Sequence, residues 1–217
     1  MKGLFLMCAL ALLSGCGVNT KQVRLELPEA TRVTPATAKQ IVLASVTDQR
    51  DLLNSPSSFG NTITSALLKN LGPADAKSLI AGGGRGSNGY AVILADGESV
   101  SDVMRKLISN ILEQHGYVVL RDSMTHPGIP AIDVRINQFF LNEPFNFGRV
   151  LTWTSQMKAD ISTDVTIKEN GSSHEFSIEG SGANIVQTNR GINYVETYTA
   201  AMKDYTKSFD AKVFNKL

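Results

Sequence analysis

Ser155 and Lys158 stand in the order Ser-x-x-Lys, the spacing with which penicillin-recognising enzymes activate a serine. That chemistry needs both side chains on one side of a helical turn, so that the amine reaches the hydroxyl. Here the motif lies in an alternating run, where residues three apart point to opposite faces, and its Ser-Asp-Asn and Lys-Thr-Gly partners are absent. The glycine run at residues 82–89 lacks the Gly-Lys-Ser/Thr that makes a phosphate cradle. His115, His126 and His174 have no second ligand type at a metal-holding spacing, and His115 is placed to favour a helix C-terminus. A hydrolase needs a convergent nucleophile, base and orienting group. None assembles, so no enzyme activity, cofactor or metal is expected.

One residue has a clear chemical assignment. Met1-Lys2-Gly3 is a short basic start, followed by an apolar run over residues 4–13. That run has the length of a signal-peptide core and is too short for a bilayer, which takes ~20 residues. It ends in Leu13-Ser14-Gly15-Cys16, which resembles the lipobox of bacterial lipoprotein precursors. Residues 1–15 are therefore expected to be a signal peptide, and Cys16 the acylated membrane anchor. Cys8 lies in the removed segment, so the mature chain keeps one cysteine and forms no internal disulfide. One acyl chain binds marginally and stable anchoring takes two or more; the class to which the lipobox points carries three. In that class an Asp after the cysteine favours the inner membrane, so Gly17 leans towards the periplasmic face of the outer membrane.

Loss of Lys2 from 21 basic residues leaves them equal to the 20 acidic ones, which gives no reason to expect a nucleic-acid partner. The remaining candidate surface is aromatic. Phe139, Phe140, Phe145, Phe147 and Trp153 lie close together and make up half of the chain's nine Phe and one Trp. On alternating strands they cannot all be core. Phe139, Phe145, Phe147 and Trp153 are the candidate surface for an envelope protein partner; filling the end of the core is the competing reading. Asp48-Gln49-Arg50 closes the first strand, where a carboxylate and a guanidinium could hold that strand end to a neighbouring loop.

The elements that must position these residues follow from periodicity. Residues 16–39, rich in Thr, Ala, Pro and charge, read as a lipidated cysteine and flexible tether. A single periplasmic domain is expected over residues 40–217. Residues 41–46 form a buried strand, and residues 58–71 a short helix ended by Gly72-Pro73. Residues 82–89 read as an exposed loop dispensable for folding, with a short strand at 90–95 after it. The clearest helix covers residues 100–115, with one apolar stripe, a capping box from Ser99 to Asp102, and Gly116 as its stop. Strands follow at 117–120 and around Ile132, Val134 and Ile136, whose parity turns Phe140 inward and Phe139 outward. A long strand over 151–167 leads to an Asn170-Gly171 hairpin and a return strand in which Gly180 and Gly182 suggest a bulge or bend. The last helix starts near Asn193. The expected fold class is α+β: an antiparallel sheet with two long helices on one face.

In this order the chain resembles the YajG-like family of bacterial lipoproteins. The matching features are the lipobox at Cys16, the strand ending in Asp48-Gln49-Arg50, and the helix ending in His115-Gly116-Tyr117. They continue in the strand through Lys158-Ala159-Asp160-Ile161, the Asn170-Gly171 hairpin and the C-terminal helix. The resemblance covers most of residues 40–215 and departs from the family at 72–98. It implies an α+β domain at the outer membrane with no catalytic residues. A looser, fold-level similarity links it to the accessory lipoproteins of lipid or lipopolysaccharide transport machines. The expected function is a lipid-anchored envelope protein with a non-catalytic binding or scaffolding domain. An envelope hydrolase and a small-lipid carrier are its rivals.

Overall fold

A computed structural model describes residues 18–28, 38–54, 63–85, 88–120, 128–142, 155–186 and 190–214. Among them, eight strands form one sheet: β1 (Asn19–Val23), β2 (Lys39–Asp48), β3 (Leu79–Arg85), β4 (Asn88–Leu94), β5 (Tyr117–Leu120), β6 (Ala131–Asn142), β7 (Ser155–Glu169) and β8 (Ser172–Val186). Helices α1 (Ser65–Ser78), α2 (Val100–Gln114) and α3 (Arg190–Val213) pack on it. The α+β class is as expected. The stripe of α2 is buried at all seven apolar positions, and the Ser99–Asp102 capping box is present in both directions. Asn170 and Gly171 both take positive φ, 49° and 80°, as a two-residue turn between right-twisted strands requires.

The sheet is mixed rather than antiparallel. Strand β6 is its spine. One edge of β6 pairs with β7 antiparallel along its length, and β7 pairs with β8 in unbroken register. The other edge is shared: β2 runs parallel to residues 131–136, and β3 joins, also parallel, at Ala81↔Leu141. Strand β5 pairs with β2, and β1 with β4, again parallel. Parallel strands need long crossovers, and residues 49–78, with α1, supply the one from β2 to β3, which flank the same edge of β6 in the same direction; β4 and β1 run the opposite way. Local alternation carries no sign of that direction, which is why the antiparallel expectation failed.

Each face of the sheet carries a core, the second over β3, β4 and the end of β6 only. The larger core takes the stripes of α2 and α3 together with Ile132, Val134, Ile136, Phe139 and Leu141 of β6. The smaller core lies on the opposite face under α1 and holds Ile63, Leu67, Leu79, Ala91, Ile93 and Phe140. Gly72 (φ 79°) breaks α1 at Gly72-Pro73 as its sequence suggests, but a second helical turn continues from Pro73. The expected parity of Phe139 and Phe140 is reversed. The β6–β7 register shifts between Ile136 and Gln138, and this bulge flips the alternation, so Phe139 enters the larger core and Phe140 the smaller one. Phe139 is 0% exposed and stacks on Tyr198 with ring centroids 4.8 Å apart; it is not a partner surface.

Three further expectations change. The tether begins with strand β1, and Val23 and Leu25 are buried in the larger core. The glycine segment is no free loop: Ala81, Gly82 and Gly83 are buried in β3, and a Cβ on Gly82 would stand 2.9 Å from the Tyr90 carbonyl oxygen. Excising it would remove the β3–β4 pairing. Gly180 and Gly182 mark no bulge. They let α3 lie directly on β8, since a Cβ at either would come 2.4 Å from backbone atoms of Tyr205 or Thr197. The same helix guards the free edge of β8: the Ser181 amide donates to Asp204, and Lys212 Nζ to the Ser177 carbonyl.

Candidate functional site

The fork in the sheet leaves backbone carbonyls that no strand can satisfy. Between the end of β2 and the start of the β3 contact, one edge of β6 has no strand partner. Arg50 fills that gap. Its side chain is 2% exposed and uses all five N–H donors. Nη1 donates to the carbonyls of Leu79 (2.6 Å) and Phe139 (2.9 Å), and Nη2 to that of Lys77 (3.3 Å). Nε and Nη2 each donate to one carboxylate oxygen of Asp48 at 2.8 Å, a bidentate pair. The Gln49 amide donates to the Ile136 carbonyl at 2.9 Å, so three successive residues bind β2 to β6. This is the strand-end clamp that Asp48-Gln49-Arg50 suggested, extended to the end of α1. Beside it lies a cleft of about 270 Å³, lined by Arg50, Asp51, Asn54, Asn137, Gln138, Phe139 and Phe140. The Arg50 donors are already committed to the protein, so the cleft has no free guanidinium to offer an anion.

No family model and no curated protein matches the chain. Solved structures resemble it only distantly. An uncharacterized protein is 10% identical, with 92% of this chain and 98% of that one covered at a TM-score of 0.44. A DUF330 protein from Xanthomonas campestris is 11% identical over 90% and 99%, at 0.34. A neuraminyllactose-binding hemagglutinin homolog from Helicobacter pylori is 14% identical over 90% and 95%, at 0.38. None of these scores reaches 0.5, and nothing about activity follows from them.

The solvated face of β6, β7 and β8 carries a second, open cleft of about 520 Å³, lined in part by Gln138, Lys158, Asp160, Ser162, Glu179 and Asp204. Charged side chains pair on this face: Lys158 with Asp160 two residues along β7 at 2.9 Å, Lys168 on β7 with Asp133 on β6 at 2.8 Å, and Arg135 on β6 with Glu175 on β8. Burial pushes the Asp133 carboxyl up, but hydrogen bonds from Lys168 and Ser45 outweigh it, and its pKa falls below the ordinary 3.8. Exposed pairs of this kind contribute ~0–1 kcal/mol each and suit a wet sheet face.

Several of the remaining reactive side chains are engaged in contacts between elements. Ser155 and Lys158 both lie on strand β7, the arrangement that rules out a helical Ser-x-x-Lys site. His115 stacks on Phe214 at 3.7 Å and its Nε2 lies 3.0 Å from Asp210, joining the end of α2 to α3. The Tyr205 hydroxyl bonds Thr163 at 2.8 Å and that of Tyr198 donates to the Ile80 carbonyl at 2.8 Å; burial raises both phenol pKa values. Among the described residues, no three His, Cys, Asp or Glu side chains gather as a metal group. Cys16, Phe145, Phe147, Trp153 and His126 lie outside the described residues. The strand ends flanking the aromatic segment are placed: β6 ends at Asn142, whose Oδ1 is buried without a hydrogen-bond partner among the described residues, and β7 starts at Ser155.

Proposed function

We propose that this chain is a lipid-anchored lipoprotein of a bacterial envelope whose domain binds or scaffolds and does not catalyse. The observation that carries it is the ordered series of basic start, short apolar run, small residues and Cys16. Two features support it. No helix among the described residues is long and apolar enough to cross a membrane, which is compatible with attachment through acyl chains on Cys16. Among the described residues, the buried hydroxyls of Tyr198 and Tyr205 and the buried guanidinium of Arg50 are occupied by structural hydrogen bonds, as a scaffold would have them. Gly17 favours the outer membrane for this chain, and the YajG-like family is the resemblance its motifs carry. Phe145, Phe147 and Trp153 remain the proposed partner contact, now without Phe139.

Mass spectrometry of the membrane-extracted protein tests the anchor: a chain beginning at Cys16 with acyl mass is expected. Cys16→Ser should leave a folded domain that no longer sediments with membranes. A Ser variant that still sediments after a salt wash refutes the lipid as main attachment. A screen for hydrolase turnover on the purified domain addresses the catalytic half, and robust turnover would overturn it.

A further inference from the structure

The anchor and the domain are closer than a tether would place them. Only Gly17 and Val18 separate Cys16 from Asn19, the first residue of β1, and Val18 packs against the smaller core. Three residue steps at ~3.3–3.6 Å each keep the acylated cysteine within ~11 Å of Asn19. Strand β1 is held in the sheet over five paired positions, with Val23 buried beneath it.

The sheet register shows what else lies at that end. Asn19 pairs with Tyr90, and Tyr90 with Gly83. Ala81 is level with Leu141, Leu141 with Ala159 and Ala159 with Gly182, so Gly83, two residues further on, is level with Asn184. Next to Asn184 is Ile185, the most exposed large apolar residue among those described, at 59%. Among the described residues it is left largely uncovered, at the end of a strand whose outer face is otherwise Ser, Glu and Ala. The opposite end of β8 is the Asn170-Gly171 hairpin. At ~3.3 Å per residue it stands ~45 Å from Ile185.

We propose that the end of the sheet where β1 begins and β8 finishes rests on the lipid bilayer, with Ile185 in the interface and the β7–β8 hairpin pointing away. This rests on acylation of Cys16. A short anchor on one sheet end fixes which end meets the membrane, and an exposed isoleucine there gains by leaving water. An envelope protein covering Ile185 instead is an outcome that the test separates.

The test uses the lipidated protein in phosphatidylethanolamine–phosphatidylglycerol vesicles that contain a nitroxide lipid. A polarity-sensitive fluorophore is attached through Ile185→Cys or, at the far end, through Ser173→Cys. Both residues are exposed, and the thiol of Cys16 is blocked by its lipid. Expected are a blue-shifted, nitroxide-quenched signal from position 185, and a signal from position 173 that responds only to aqueous iodide. Inserting a flexible Gly-Ser segment between Gly17 and Val18 should keep vesicle flotation and abolish the quenching at 185. A protein that floats but shows position 185 in water, or equal quenching at both positions, overturns the orientation alone. A protein with neither acyl mass nor flotation overturns the anchor reading and this one with it.

Discussion

Arg50→Ala should be among the most damaging single substitutions in the domain. The side chain is nearly sealed from water and holds five hydrogen bonds, two to Asp48 and three to backbone carbonyls. Removing it leaves the Asp48 carboxylate without its cation, and breaking a buried pair by losing one partner costs ~3–5 kcal/mol. The Leu79 and Phe139 carbonyls lose their donor as well, at ~1–3 kcal/mol each if nothing replaces it. Water entering the adjacent cleft of about 270 Å³ can restore part of that. A net loss of ~3–5 kcal/mol results, and at a urea slope of ~2 kcal/mol per molar the unfolding midpoint should fall by ~1.5–2.5 M. Circular dichroism of the domain in urea measures it. Arg50→Lys should recover only part of the loss, since one ammonium cannot reach carbonyls on β3, β6 and α1 together. The double variant Asp48→Ala/Arg50→Ala should be less damaged than the two single losses added. A fall below ~1 kcal/mol for Arg50→Ala would refute the clamp as the device that closes the fork.

Phe139→Ala and Phe140→Ala should each cost ~3–5 kcal/mol, because both rings are fully buried, one in each core; a near-neutral Phe139→Ala in a denaturation curve would restore it as a surface residue. Gly182→Ala should destabilise by ~1–3 kcal/mol or more, since the new methyl meets the Thr197 carbonyl and the Ala201 amide at 2.4 and 2.5 Å and α3 must retreat; an unchanged melting temperature would contradict that contact. Hydrogen bonds from the Ser99 side chain and amide hold the Asp102 pKa below 3.8, so the stability it contributes is complete above that unfolded value and is lost as pH falls through the folded one. Asp102→Asn should therefore weaken the domain at neutral pH and flatten its acid-unfolding limb, and parallel limbs in wild type and variant would count against the capping box.

What could be read from the sequence was whatever one element decides for itself. Helix α2 was legible to within one residue because its stripe, its capping box and Gly116 all act within one segment. The β7–β8 hairpin was legible for the same reason, its turn being fixed by Asn170 and Gly171. Strand β3 was not. Three consecutive glycines give no apolar period, and the reason for one of them lies on another strand, where the Tyr90 carbonyl comes too close to Gly82 for a side chain. Gly180 and Gly182 suggest a bulge in the sequence and make none in the structure, since a bulge and a close helix look alike in one strand. The difference is Thr197 and Ala201, which lie on α3.

The candidate site fared in the same way, and the reason lies in β6. Alternation carried from Ile132 to Ile136 predicts which phenylalanine is exposed only while the register holds. A single extra residue near Asn137 exchanges the faces of everything after it. The bulge sits where β2 leaves the edge of β6 and Arg50 takes its place. The event that misled the parity argument is thus the one that Asp48-Gln49-Arg50 is built to accommodate. A sheet that divides its central strand between two parallel neighbours must end one ladder, turn the spine and satisfy the exposed carbonyls. The bulge turns the spine and the arginine satisfies the carbonyls. Phe139 and Phe140 then point to opposite faces, one ring in each core.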